Sequence, residues 1–282
     1  MNNYEKLEGM VAATFTPLDE NGDVNLSVID KYADWIASTP IKGVFVCGTT
    51  GEFSSLAIDE RKLILEKWLV SARKRFKVIA HVGSNCQRSA MELARHAAQV
   101  GADAIASIAP SFFKPGTVDE LVDFFAPICH SAAGLPFYYY NMPSITGVNL
   151  PVDKFLVEGK KKIPNLVGTK FTHNNLMEMG VCIELEQHRF EVLHGYDEIL
   201  ISGLAMGAVA GVGSTYNYIP NVYQAIFDSM KMNDLETARH NQIKSIRTVE
   251  VIIKYGGGVR GGKAIICLLY TSPSPRDSTS SR

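Results

Sequence analysis

Neither charge sign dominates this chain: 28 Lys and Arg stand against 29 Asp and Glu over 282 residues, a formal net charge of −1. It has no basic stripe to track a nucleic-acid backbone and no polybasic run to hold a membrane surface. No apolar run is long enough to span a bilayer. The opening residues, Met1-Asn2-Asn3-Tyr4-Glu5-Lys6, lack the apolar centre of a signal peptide. The five cysteines (47, 86, 129, 182 and 267) are odd in number, scattered and without metal-site spacing. Reduced thiols in a cytoplasmic protein are the expectation. No Gly-x-Gly-x-x-Gly follows the first expected strand, which argues against a dinucleotide-binding sheet.

What the chain has is apolar content, 46% hydrophobic against 20% charged. That suits one large globular domain, and α/β barrels of this length are common as single units. Short apolar or β-branched runs at 9–17, 43–51, 77–84, 102–110, 136–143, 166–172, 190–197 and 207–216 read as strands. Helical patterns lie between them at 25–38, 58–75, 87–100, 117–132 and 174–187, and another follows the last strand at 233–254. Thr117-Val118-Asp119-Glu120 fits a capping box. Eight strands, each followed by a helix or crossover, predict a parallel sheet closed as a (β/α)8 TIM barrel, with an open doubly wound sheet as the alternative.

In such a barrel the chemistry sits at the C-terminal ends of the strands, and the unusual residues of this chain fall there. Lys170 lies in the apolar run 166–172. A lysine in that position either pairs with a carboxylate or sheds its proton to become a nucleophilic amine able to form a Schiff base. Gly48-Thr49-Thr50-Gly51-Glu52 is either a carboxylate or phosphate cradle or a tight turn with hydroxyl caps. In Tyr138-Tyr139-Tyr140, strand alternation puts Tyr138 and Tyr140 on one face and Tyr139 on the other. A phenol near the barrel axis can move a proton; otherwise it packs. Asp197 and Glu198 can cap a helix or accept from the hydroxyls of a polyol. Gly211-Val212-Gly213-Ser214-Thr215 combines close approach with hydroxyl groups.

Taken together, GTTGE (Gly48–Glu52), YYNMP (Tyr139–Pro143), GTKFT (Gly168–Thr172), GYDE (Gly195–Glu198) and GSTYN (Gly213–Asn217) resemble one family. It is the pyruvate-dependent class I aldolases, which contain N-acetylneuraminate lyase and dihydrodipicolinate synthase. The resemblance runs from about residue 9 to about residue 267. It implies that Lys170 forms the Schiff base with a 2-keto acid, that Tyr140 moves the proton, and that Thr49 and Thr50 hold the pyruvyl carboxylate. It also implies substrate contacts at Thr172, Gly195, Asp197, Glu198, Gly213 and Ser214, with no metal or dissociable cofactor. Ile145 stands where the synthases place an arginine for a substrate carboxylate, and an aliphatic side chain cannot make that pair. GYDE and GSTYN are similar to the motifs of the sialic acid lyases. The implied activity is therefore reversible cleavage of N-acetylneuraminate to N-acetylmannosamine and pyruvate, by a cytoplasmic homotetramer with no nucleic-acid or membrane partner. Rival expectations are a related aldolase or dehydratase acting on a 2-keto-3-deoxy sugar acid, and an inactive truncated product.

Two departures from the family pattern stand out. Phe112 and Phe113 occupy the place of a tyrosine that supports proton relay. Beyond Gly262-Lys263-Ala264 the helical sequence of the family gives way to a Ser/Thr/Pro-rich stretch. Residues 1–267 therefore read as the barrel with the start of a C-terminal extension, and 268–282 as a disordered, non-native tail. His81 and His194 read as structural, Cys47 as a small buried thiol, Asp103 and Glu52 as helix-end and loop partners, and Arg260 and Lys263 as part of a solvated Gly-rich loop.

Overall fold

Eight parallel strands close into a barrel in the order β1 to β8 in this computed structural model, which describes residues 4–270. They are β1 (Gly9–Ala13), β2 (Gly43–Val46), β3 (Lys77–His81), β4 (Ala104–Ile108), β5 (Phe137–Asn141), β6 (Leu166–Phe171), β7 (Glu191–His194) and β8 (Ala210–Gly213). The helices among the described residues are α1 (Val28–Ala37), α2 (Ile58–Ala72), α3 (Gln87–Val100), α4 (Val118–His130), α5 (Pro143–Thr146), α6 (Val152–Lys162), α7 (Leu176–Glu184), α8 (Leu200–Ala205), α9 (Pro220–Lys231), α10 (Leu235–Lys254) and α11 (Gly257–Tyr270). The (β/α)8 TIM barrel expected from the alternating pattern is the observed fold. None of these helices is long and apolar enough to cross a membrane.

All eight expected strands are present, and each stops short of its expected C-terminal end. Thr14, Phe15 and Thr16 show why: they are buried like strand residues, yet the ladder of β1 ends at Ala13. Burial continues beyond the last hydrogen-bonded pair, so hydrophobic pattern alone overruns the strand. The helix over 58–75 stops at Ala72, because Arg73 and Lys74 take left-handed φ values of +48° and +59°. That over 174–187 stops at Glu184, before left-handed Glu186, Gln187 and His188. The capping box forms as expected: the Glu120 N–H donates to Thr117 Oγ1 at 3.2 Å, and the Thr117 N–H donates to Glu120 Oε2 at 3.3 Å.

Three long helices were not anticipated. In α6 the glycine Gly159 blurs the pattern. The start of α9 is marked only by Pro220 at its first position, where the missing N–H costs nothing. The third, α11, overturns the expectation of a solvated loop at Arg260 and Lys263: both are helical, and Lys263 is 2% exposed. This helix also takes in residues 268–270, while the rest of the stretch read as a tail, 271–282, lies outside the described residues.

The described chain forms two compact units. One takes the residues up to Glu8 with Ile79–Tyr196 and Ser202–Gly211; the other takes Gly9–Val78, Asp197–Ile201 and the residues from Val212 on. In the first, the outward faces of β5 and its neighbours pack on an aromatic cluster from α4 and α6. Phe125 lies 5.5 Å from Phe137, 5.4 Å from Tyr139 and 5.7 Å from Phe155, centroid to centroid. In the second, Tyr32 of α1 meets Trp68 of α2 edge to face at 5.1 Å, both fully buried. Phe125→Ala should cost about 3–5 kcal/mol, the usual scale for emptying an aromatic core position. Chemical denaturation would measure it, and a loss well under 1 kcal/mol would contradict this packing.

Candidate active site

In the first unit, strand register places the key side chains. Tyr138, Tyr139 and Tyr140 of β5 stand opposite Gly168, Thr169 and Lys170 of β6. Alternation then turns Tyr139 outward, where it meets the Phe155 ring at 4.6 Å and burial pushes its hydroxyl up to about 12. Tyr140 and Lys170, at one level on the other face, come together: the lysine Nζ lies 4.2 Å from the centroid of the Tyr140 ring. Lys170 is 5% exposed and Tyr140 2%. The ring face is the negative end of an aromatic quadrupole, a fitting neighbour for an amine withdrawn from water. The Tyr140 hydroxyl donates to Met142 Sδ at 3.0 Å, and His81 packs edge-on to the Tyr140 ring at 5.8 Å.

Tyr138 shares that inner face but serves another group. Its hydroxyl donates to Glu191 Oε2 at 3.0 Å and also meets the Tyr4 hydroxyl, while Glu191 accepts the Leu7 N–H at 2.8 Å. Burial raises the Glu191 carboxyl, and burial together with that carboxylate raises the Tyr138 hydroxyl. Of the two inward tyrosines, only Tyr140 is beside the lysine level.

Thr172 and Gly195 directly follow β6 and β7 and are neighbours. The Thr172 N–H donates to the Asn141 carbonyl at 2.9 Å, and the Gly195 N–H to the Phe171 carbonyl at 2.9 Å. A Cβ on residue 195 would overlap the Thr172 hydroxyl, so glycine is required there by close approach. Ile145 lies on α5 and is 60% exposed. Phe112 and Phe113 are exposed and stack edge to face at 4.9 Å.

The second unit carries the remaining expected residues. Thr49 and Thr50 are half-buried in the loop after β2. That loop is tied back on itself: the Glu52 N–H donates to the Thr49 carbonyl at 3.0 Å, and the Phe53 N–H to the Gly48 carbonyl at 3.3 Å. Two non-glycine residues bracket it in the left-handed region, Cys47 at φ +54° and Glu52 at +56°, a conformation sustained only where surrounding contacts hold it. Both expected readings of the motif, hydroxyl-rich tight turn and cradle, are compatible with this geometry.

Asp197 and Glu198 open a single helical turn, with Asp197 buried and Glu198 half-buried. Asp197 Oδ2 accepts the Thr215 N–H at 2.8 Å and the Thr215 hydroxyl at 2.7 Å. The Thr215 oxygen also meets the Tyr223 hydroxyl, which lies 2.7 Å from Ser245 Oγ. Ser245 and Gln242 of α10 donate to the Asp197 carbonyl at 3.2 and 3.1 Å. Gly213 makes room for all this, since a Cβ there would overlap the Asp197 carboxylate. Ser214 is half-buried beside it. Burial, with the Asp197 charge as the next cause, raises the hydroxyls of Tyr216, Tyr218 and Tyr223. Thr215, Tyr223, Gln242 and Ser245 were not foreseen as site residues. Thr215 lies within GSTYN, but the other three come from α9 and α10, with no local motif to mark them.

Residues 6–265 match the profile of the Dihydrodipicolinate synthetase family. The chain belongs to this family. It is 42% identical over 272 residues to the N-acetylneuraminate lyase of Mus musculus, covering 95% of this chain and 85% of the mouse protein. It is 43% identical over 276 residues to the N-acetylneuraminate lyase of Gallus gallus, covering 97% and 90%. The solved N-acetylneuraminate lyase (sialic acid aldolase) of Aliivibrio salmonicida superposes with a TM-score of 0.93 at 36% identity, over 96% of this chain and 90% of that one. The resemblance carried by the five motifs is thus borne out at the level of the family.

Cys47, immediately before the loop, is 4% exposed, and burial pushes its thiol up to about 11, against the pull of Arg61. Cys86 lies in the open, where the Ser89 hydroxyl and N–H hold its thiol below the ordinary value. The thiolate is the reactive form. At pH 8, iodoacetamide should therefore label Cys86 at least about tenfold faster than Cys47, followed by peptide mass spectrometry. Equal labelling rates would contradict the packing described around Cys47.

Proposed function

We propose that this protein is a Schiff-base lyase that cleaves N-acetylneuraminate reversibly to N-acetylmannosamine and pyruvate. The observation that carries the reading is the buried Lys170 paired in register with Tyr140, its Nζ 4.2 Å from the ring centroid, in a chain of this family. The names of the relatives supply the substrate. Ile145, an exposed aliphatic residue, disfavours the synthase alternative, because it offers no charge for a second carboxylate.

The open-chain sugar presents a 2-keto acid. Thr49 and Thr50 hold its carboxylate through loop N–H and hydroxyl donors. The Lys170 amine adds to the ketone and water leaves, giving an iminium. That iminium accepts the electron pair of the bond between the third and fourth carbons as it breaks, and Tyr140, a phenolate once its own proton has left with the water of iminium formation, takes the proton of the C4 hydroxyl. N-acetylmannosamine departs, the enamine is protonated, and hydrolysis frees pyruvate and regenerates the amine. Asp197, Glu198 and Ser214, with Thr172, Gly195 and Gly213 shaping the wall, receive the hydroxylated end of the sugar. The lysine itself supplies the electrophilic centre, so the scheme uses no metal or dissociable cofactor. We assign the protein to the cytoplasm as a homotetramer whose partner is its small-molecule substrate, with residues 1–267 as its catalytic domain.

Release of pyruvate from N-acetylneuraminate tests the reading. Lys170→Ala should abolish turnover, and Tyr140→Phe should lower it by roughly 10²- to 10⁴-fold, the range for loss of a general acid–base group. Substantial turnover by a folded Lys170→Ala protein would refute the assignment.

A further inference from the structure

The loop proposed to hold the substrate carboxylate ends on an acid. Glu52 closes the turn that starts at Thr49, and its left-handed backbone fixes where its side chain can go. The Thr16 hydroxyl pins the same turn by donating to the Gly51 carbonyl at 2.8 Å. A negative charge is thereby built into an anion-binding loop, and like charges at close range oppose each other strongly where water is scarce.

Lys263 meets that charge. It lies on α11, 2% exposed, with its Nζ 2.5 Å from Glu52 Oε1. The approach of α11 depends on Gly262, since a Cβ there would run into the Phe15 ring. Gly261, where a Cβ would meet the Ile252 carbonyl, and Gly262 therefore act through small size within a helix, although a run of glycines resembles a loop in the sequence.

We infer that Lys263 is a positioning residue for the substrate carboxylate: it neutralises Glu52, so that the loop 48–52 presents only donors to an incoming anion. The inference rests on the proposed lyase reading. It separates α11 from passive packing, because the sign of the charge near the loop decides the outcome.

The test compares the wild type, Lys263→Met and Glu52→Gln/Lys263→Met in N-acetylneuraminate cleavage, with pyruvate as product inhibitor. Lys263→Met should raise both KM and the pyruvate concentration for half-inhibition about tenfold, with kcat changed less than about threefold. The double variant removes the stranded charge and should return both constants to within about threefold of wild type. An unchanged KM in Lys263→Met, or a double variant as weak as the single one, would overturn the inference. If Lys263→Met does not melt cooperatively, the double variant decides alone: near-wild-type constants support neutralisation and raised ones refute it. A folded wild type without lyase activity would instead refute the proposed function itself.

Discussion

A lysine side chain inside a barrel is the constraint around which this site is arranged. Burial of an amine that could be charged is costly unless nearby groups compensate. Here β6 delivers Lys170 at the level where β5 delivers Tyr140, and the aromatic face meets the amine. That meeting depends on register. A slip of one residue would turn Lys170 outward and bring Thr169 in, since alternation along a strand has a period of two. Tyr139 shows the other side of the rule: one residue from Tyr140, it is locked among Phe125 and Phe155 and has no access to the lysine. The outward aromatic cluster and the inward chemical pair thus fix each other.

The loops beyond the strands follow a related logic. Their side chains are held by hydrogen bonds reaching back to the scaffold. Asp197 is fixed through Thr215 and, at its carbonyl, through Ser245 and Gln242 of α10. Glu52 is fixed through Lys263 of α11. The two C-terminal helices, which lie beyond the eight repeating strand–helix units, therefore support two of the loops that carry the expected site residues. Supporting contacts of this kind hold a site to the tolerance that catalysis requires.

The barrel was legible because its signals are local and repeated. Eight apolar runs and a capping box can each be read one at a time, while the strand-end motifs gain meaning through their coincidence on several strand ends. The lysine was legible for the same reason, since a basic residue in an apolar strand breaks the surrounding pattern; the triple tyrosine left its members open, and the family resemblance singled out Tyr140. What escaped was non-local. Nothing near Lys263 announces a carboxylate 211 residues earlier in the chain, and its flanking glycines imitate a flexible loop. Tyr223 and Ser245 pack like ordinary helix residues until Thr215 is placed beside them. Strand ends were overrun because burial outlasts the hydrogen-bond ladder, as at Phe15.

The central claim is that Lys170 carries covalent chemistry with a 2-keto acid. The most direct measurement is borohydride reduction of the protein in the presence of pyruvate, followed by intact and peptide mass spectrometry. The account predicts a single reduced pyruvate adduct, located on Lys170. A folded protein that gains no adduct, or gains it on another lysine, would contradict it.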